Sequence, residues 1–237
     1  MLPLDRQNRR RDAYRALEPG WQPATEVYAQ AVRHWLRPES RVLDWGCGRG
    51  GLVEQLGHPL SQIVGIDPDW LSLREHRLPL PRAAGVSQAL PLAAASCDLV
   101  LASWVLEHLA QPQLDLSEAA RVLRPGGVLV FITPNRRHPL ISANRWFGRI
   151  GGQAWLVAHL YSRAQTDTFP AYYRANTAAT LQHLATQAGL TLITLHTIAD
   201  PTYLAFNTLL FRLACRLEKH LGPERRLHLV GVLRKMA

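Results

Sequence analysis

Between positions 44 and 51 the chain reads Asp44-Trp45-Gly46-Cys47-Gly48-Arg49-Gly50-Gly51. Glycines this dense at a strand-to-helix turn let a ligand reach the backbone where side chains would collide. The helix expected next offers free amide N–H groups and a positive dipole end to a carboxylate or phosphate. Twenty-three residues beyond Asp44 stands Asp67, closing the next apolar run. A carboxylate there can accept from both hydroxyls of a ribose. Together they describe a site for a nucleoside-bearing cofactor; a turn with no ligand would leave Asp67 unexplained.

Two cofactor classes fit. Gly46, Gly48 and Gly51 satisfy G-x-G-x-x-G, the nicotinamide and flavin dinucleotide pattern, which is weak on its own. Asp44, Gly46, Gly48 and Gly50 satisfy D-x-G-x-G-x-G, the pattern of enzymes that use S-adenosylmethionine (SAM).

The elements that must carry these residues can be read from periodicity. A polar, basic helix is expected over Arg6 to Glu18, and a second on Tyr28, Ala31, Val32 and Trp35, ended by Arg37-Pro38. Short apolar runs then alternate with helical stretches. Strands are expected over 41–45, 62–67, 97–103 and 128–133, with a weaker one near Ala83 to Gln88. Leu116, Ala119, Ala120 and Leu123 mark a helix that Pro125-Gly126-Gly127 should stop. This rhythm means a mostly parallel α/β sheet covered by helices on both faces. Residues 134–174 break it, as an inserted lid or substrate loop would. A helix follows on Leu181, Leu184, Ala185 and Ala188, capped by Asn176 or Thr177 and ended by Gly189. Then come a strand over 191–197, a helix on Phe206, Leu209, Leu210, Leu213 and Leu217, and a last strand over 228–233.

Composition agrees with an ordinary globular chain. Of 237 residues, 47% are hydrophobic and 19% charged, which excludes collagen-like, coiled-coil and disordered classes. One domain is the expectation: N-terminal helices over 1–40, a cofactor core over 41–133, an insert over 134–176, and the rest of the sheet over 177–237. The net charge is +9, and 25 of the 27 cationic residues are arginine, which favours anionic partners. Cys47, Cys97 and Cys215 suit a reduced compartment and show no zinc spacing. With no signal core at the start and no apolar run long enough to span a bilayer, a cytoplasmic location is expected.

Six segments, the glycine turn first among them, follow one another in one order and spacing. They are Val42–Gly50, Gly65–Pro68, Ala89–Leu92, Cys97–Val100, Val105–Leu109 and Arg121–Gly127. On these residues the chain resembles the class I SAM-dependent methyltransferases, in particular the ubiquinone-biosynthesis-type (methyltransferase-11-like) branch. The resemblance implies a Rossmann-like, doubly wound, seven-stranded sheet whose last strand is antiparallel. It implies SAM as cofactor and S-adenosylhomocysteine as product. Gly46 and Gly48 would lie against the methionine part, with Asp44 on its amino group and Asp67 on the ribose hydroxyls. Gln88, Ala89 and Leu90 would pack around adenine, and Ser103 to Val105 would floor the sulfonium. Cys47, Gly50 and Pro68 complete the implied set. Many relatives carry an aspartate near Val86 or Ser87 for the adenine amino group; its absence leaves that task to Gln88 or backbone. Residues 133–139, 167–177 and 230–234 resemble a bacterial group whose acceptor the resemblance does not define.

The chemistry implied is in-line methyl transfer, in which an oxygen or nitrogen acceptor also needs a base. His108, placed beside the donor pocket by the resemblance, is one candidate; its other reading is a residue closing a short helix. His138 is a second, since it follows a strand's C-terminal end, where ligands bind in such sheets. Asp167, Tyr172, Tyr173 and Arg174 would form an acceptor wall, or the tyrosines would be core and the arginine a surface ion-pair partner. The acceptor class expected is a small molecule, lipid precursor or glycan-like substrate. Arginine runs at 9–11, 136–137 and 225–226 lack the aromatic stacking of a nucleic-acid surface. The cationic helix near 203–217 serves either core packing or peripheral membrane contact. A non-catalytic SAM-fold binding protein and a dinucleotide oxidoreductase are the competing readings.

Overall fold

A computed structural model describes residues 4–143 and 169–236. The chain divides into two compact units. The larger takes in Thr25–Thr133, Ala171–His196 and Leu229–Ala237; the smaller takes in Met1–Ala24, Pro134–Pro170 and Thr197–His228.

The larger unit is built on a sheet of β1 (Val42–Trp45), β2 (Ile63–Asp67), β3 (Arg82–Ala84), β4 (Cys97–Ser103), β5 (Leu123–Pro134), β6 (Leu190–Ile198) and β7 (His228–Lys235). Their order across the sheet is β3-β2-β1-β4-β5-β7-β6. Six strands are parallel and β7, last in the chain, is antiparallel, as the resemblance implies. The chain leaves β1 toward β2 and β3, then returns to β4 on the other side of β1. The crevice at that reversal is where open α/β sheets bind ligands. Register aligns Trp45 with Ile66 on one side and Ala102 on the other, so three strand ends open into it.

α4 (Pro112–Val122) and α5 (Ala178–Gln187) pack together on one face through Leu116, Ala119, Ala120, Leu181, Leu184 and Ala185. These join Val100, Ala102, Leu129 and Phe131 in a single core. Gly231 has no room for a side chain, since a Cβ there would sit 2.5 Å from the Phe131 ring. α2 (Ala24–Trp35) buries Tyr28, Ala29 and Val32, while Trp35 lies under the Arg234 guanidinium at 5.7 Å. Thr177, not Asn176, caps α5: its Oγ1 accepts from Thr180 N at 3.2 Å, and Gly189 (φ +73°) closes the helix. α3 is the single turn Trp70–Arg74, capped by Asp69.

Two expected helix boundaries move. The glycine turn leads only into a four-residue 3₁₀ helix, Leu52–Gln55. Gly57 (φ +64°) and the His58-Pro59 pair leave too few residues for an α-helix, so the expected helix dipole is not aimed at the loop. α4 ends at Val122, before the Pro-Gly-Gly triplet. Lys235 Nζ donates to the Ala120 and Leu123 carbonyls at 2.7 Å each, satisfying its last turn. Leu123 is already paired with Cys97, and the triplet becomes an irregularity inside β5.

In the smaller unit, α1 (Leu4–Leu17) and α6 (Thr208–His220) share a small core of Tyr14, Ala199, Ala205 and Phe211, with Trp21 and Cys215 packed against it. Tyr14 and Trp21 meet edge to face at 4.9 Å, and Trp21 Nε1 donates to the Ala199 carbonyl at 2.7 Å. The leucines expected to form the buried face of α6 do not. Phe211, Ala214 and Glu218 are the buried residues, and Leu209, Leu210, Leu213 and Leu217 are exposed.

Candidate active site

The glycine turn is fixed by β2. Gly46 N and Cys47 N both donate to the Ile66 carbonyl, at 2.8 and 3.3 Å. Gly46 (φ +72°) is left-handed, and a Cβ there would fall 2.6 Å from Val105 Cγ2. The valine expected to floor the site thus packs against the glycine itself. A Cβ at Gly48 or Gly51 would meet nothing within 4 Å, so open space lies in front of these two positions. Asp67 has both oxygens engaged: Oδ2 accepts from Gly48 N at 2.9 Å and Oδ1 from Asp69 N at 2.8 Å. It therefore sets the loop's shape, and its remaining lone pairs are what a ribose would find.

A cavity of 510 Å³ opens at the crevice, within the range of small-molecule and cofactor pockets. Asp44, Gly46, Cys47, Gly50 and Ser103 line it, together with Gly51, Leu52, Gln55 and Trp104. Trp104 sits at φ +60°, a conformation unusual for a bulky residue, and is tied to β5 by its N–H to the Ile132 carbonyl at 3.0 Å. The other wall is α2, through Thr25, Glu26, Tyr28, Ala29, Gln30 and Arg33. Periodicity puts Tyr28 on the same face as Val32 and does not set the two apart. Its hydroxyl is buried, with no hydrogen-bond partner among the described residues.

Burial and the charge of Asp67 together push the Asp44 carboxyl up to about 7. Burial pushes the Tyr28 phenol far above its usual range, and Asp44 adds to the effect. The end of β1 is thus short of positive charge and has a spare hydroxyl. An ammonium group beside Asp44 would relieve both deficits, and SAM carries one on its methionine part. The residues present fit that cofactor.

Gly48, Asp67, Pro68, Gln88, Ala89, Leu90 and Val105 do not line this cavity. Gln88 and Ala89 are exposed on the segment after β3. The Gln88 amide donates to Asp115, which is fully buried on α4 and pushed up to about 6, mainly by burial. Leu90 N donates to Glu118 at 3.1 Å. The segment assigned to adenine is thus pinned to α4, and a carboxylate stands beneath Gln88 although none occupies 86 or 87.

His108 ends the 3₁₀ helix Leu106–His108, half-buried. Its neighbour Glu107 is buried and pushed up, chiefly by desolvation. Thr133 Oγ1 donates to Glu107 Oε2 at 2.8 Å and accepts from Asn176 Nδ2 at 2.6 Å. The Glu107 carbonyl accepts from Tyr172 N and Tyr173 N, at 2.7 and 3.0 Å. Arg174 donates to the Ala110 carbonyl at 2.5 Å and lies over the Tyr172 ring at 5.4 Å. The structure therefore brings His108, Tyr172, Tyr173 and Arg174 to one turn. Tyr173 is buried and Tyr172 exposed. Asp167 lies outside the described residues. His138, in the smaller unit, is wholly buried, with Nε2 3.3 Å from Glu218 Oε1.

Residues 43–131 match the methyltransferase domain family. A Mycolicibacterium smegmatis protein named a probable SAM-dependent methyltransferase is 36% identical over 51% of this chain and 48% of its own length. A ubiquinone biosynthesis O-methyltransferase of Agrobacterium fabrum is 34% identical over 40% of this chain and 41% of its own. Among solved structures, a SAM-dependent methyltransferase of Mesorhizobium loti superposes with a TM-score of 0.55 at 17% identity, covering 86% of this chain and 96% of that one. The chain spans about half or less of the length of the curated relatives it matches. Over residues 43–131, which include the glycine turn, this chain is similar to SAM-dependent methyltransferases.

Proposed function

We propose that the chain binds SAM in the cavity at the ends of β1 and β4 and transfers its methyl group to a small-molecule, lipid-precursor or glycan-like acceptor in the cytoplasm. The observation that carries this reading is that Asp44, buried and short of a counter-charge, lines one cavity with Tyr28 of α2, whose buried hydroxyl has no hydrogen-bond partner among the described residues.

SAM, when bound, supplies a methyl on a sulfonium, and the C–S bond breaks as the acceptor–carbon bond forms. Asp44 takes the ammonium, and Tyr28 supplies the hydroxyl a carboxylate or ammonium requires. Asp67 holds the loop through Gly48 and receives the ribose hydroxyls. Trp104 and Ser103 close the floor and exclude water. The turn bearing His108, Tyr172 and Arg174 is proposed as the acceptor side. Where the acceptor is a hydroxyl or amine, His108 takes its proton; Arg174 suits an acceptor carrying a carboxylate or phosphate.

Calorimetric titration with SAM and S-adenosylhomocysteine tests this, with NAD as control and Asp67→Ala as comparison. Micromolar-range binding of the SAM pair, lost in the variant, is expected. At about a hundredfold excess over Kd, ligand should add roughly 2.7 kcal/mol of stability. Binding of NAD alone, or of neither ligand, overturns the reading.

A further inference from the structure

The outer face of α6 carries four leucines in water. Leu209 is 68% exposed and Leu213 49%, with Leu210 and Leu217 at 36% each. At 100° per residue they fall on one contiguous stripe beside the buried face of Phe211, Ala214 and Glu218. Arg212, Arg216 and Lys219, all exposed, follow one another along the opposite border. The helix's one acidic residue, Glu218, is buried against His138, so every exposed charge on α6 is cationic. At its N-terminal end Arg10 of α1 donates to Thr208 Oγ1 at 3.0 Å and lies over Phe211 at 4.9 Å, adding cationic character there. Asn207 Oδ1 accepts from Leu210 N at 2.8 Å, so the leucine stripe begins on a fixed first turn.

Three occupants are conceivable, and charge separates them. A two-fold pair of copies through this face would set cationic strip against cationic strip, with no exposed carboxylate on the helix to meet either. A nucleic acid would satisfy the arginines but leave the leucines in water, where phosphate and base edges offer them nothing. An anionic bilayer matches both at once: leucines enter the acyl boundary while guanidinium and ammonium groups stay among lipid phosphates. We propose that α6 docks the protein, flat and without spanning, on the surface of an anionic lipid membrane. The helix is already folded on its own core, so no ordering cost falls on binding. Docking requires no cofactor.

The test is flotation of the full chain with phosphatidylcholine vesicles and with mixed phosphatidylcholine–phosphatidylglycerol vesicles. Wild type should float with the mixed vesicles and not with the neutral ones, and salt should weaken the binding. Leu209→Asn/Leu213→Asn and Arg212→Gln/Arg216→Gln should each weaken it about tenfold or more. Both pairs change exposed side chains, so unchanged melting curves would show that folding is intact. No flotation with mixed vesicles overturns the proposal. So does flotation that the leucine pair leaves unaltered, since that is charge attraction alone. A wild-type dimer by light scattering that the leucine pair renders monomeric assigns the face to a second copy and also overturns it.

Discussion

In the proposed site, Tyr28 and Asp44 would together hold the ammonium of the cofactor, one through a hydroxyl and one through a buried carboxyl. A buried hydroxyl without a partner costs roughly 1–3 kcal/mol. Tyr28→Phe should therefore leave the unliganded protein as stable or more so, while weakening SAM binding about tenfold; paired melting scans and calorimetry measure both. Loss of stability would place the hydroxyl in an apolar packing role instead. Asp44 predicts a pH dependence. Its folded-state value is raised from 3.8 to about 7, so folding takes up a proton between those values. Stability of the unliganded chain then falls as pH rises through that window and levels above it. Cofactor affinity runs the other way, dropping up to about tenfold per pH unit below about 7, with a proton released on binding. Titrations in buffers of different ionisation enthalpy would count that proton, and Asp44→Asn should abolish it.

At the scale of elements, the Glu107–Thr133–Asn176 chain joins the turn after β4, the end of β5 and the entry to α5 through buried hydrogen bonds. Thr133→Val would remove one buried hydrogen bond from Glu107 and one from Asn176, a loss of roughly 2–4 kcal/mol. Chemical denaturation measures it, and Thr133→Ser should recover most of it. These joints also show what the sequence could reveal. Strands β1, β2 and β4 were legible because they are apolar runs between breakers, and Cys97–Ser103 matches the expected span. The glycine turn was legible because its motif is local. The α2 wall was not: Tyr28 keeps the same spacing as Val32, and periodicity cannot tell a ring facing a cavity from one facing a core. The leucines of α6 misled for a related reason. Amphipathicity gives the direction of the apolar side but not whether protein covers it, and there the protein turned Phe211 and Ala214 inward. Asp115 was hidden because Gln88 reaches it across 27 positions.

At the scale of the molecule, the two units carry opposite acid responses. The smaller buries His138, Glu218, His228 and Asp200, with Arg11 near enough to act on His228. Burial holds His228 below its usual 6.5, against the opposing pull of Asp200 and Glu218. A depressed histidine means the folded state binds fewer protons, so stability is present above the ordinary histidine range and lost as pH falls beneath it. Below the ordinary histidine value of 6.5 this slope opposes that of Asp44. Thermal melts should separate them: His228→Asn should flatten the acid-side loss, and Asp44→Asn should unmask it. A profile indifferent to both substitutions would show that neither group governs stability.

The short 3₁₀ turn after the glycines leaves the loop dependent on outside fastenings. Arg49 pairs with Glu75 at 2.5 Å, Arg77 pairs with Glu54 at 2.5 Å, and Arg77 N donates to the Arg49 carbonyl at 3.0 Å. Both pairs are substantially exposed, so ions in solution compete with them. A cofactor loop fastened this way would open at a rate set by the medium. Spent cofactor should leave faster as salt is added, and by stopped-flow displacement its departure rate should rise several-fold between low and near-physiological ionic strength. Glu54→Gln/Glu75→Gln should show the fast rate throughout. Under the proposed function, the pace of successive turnovers in a crowded cell would then follow ionic conditions as well as the supply of acceptor.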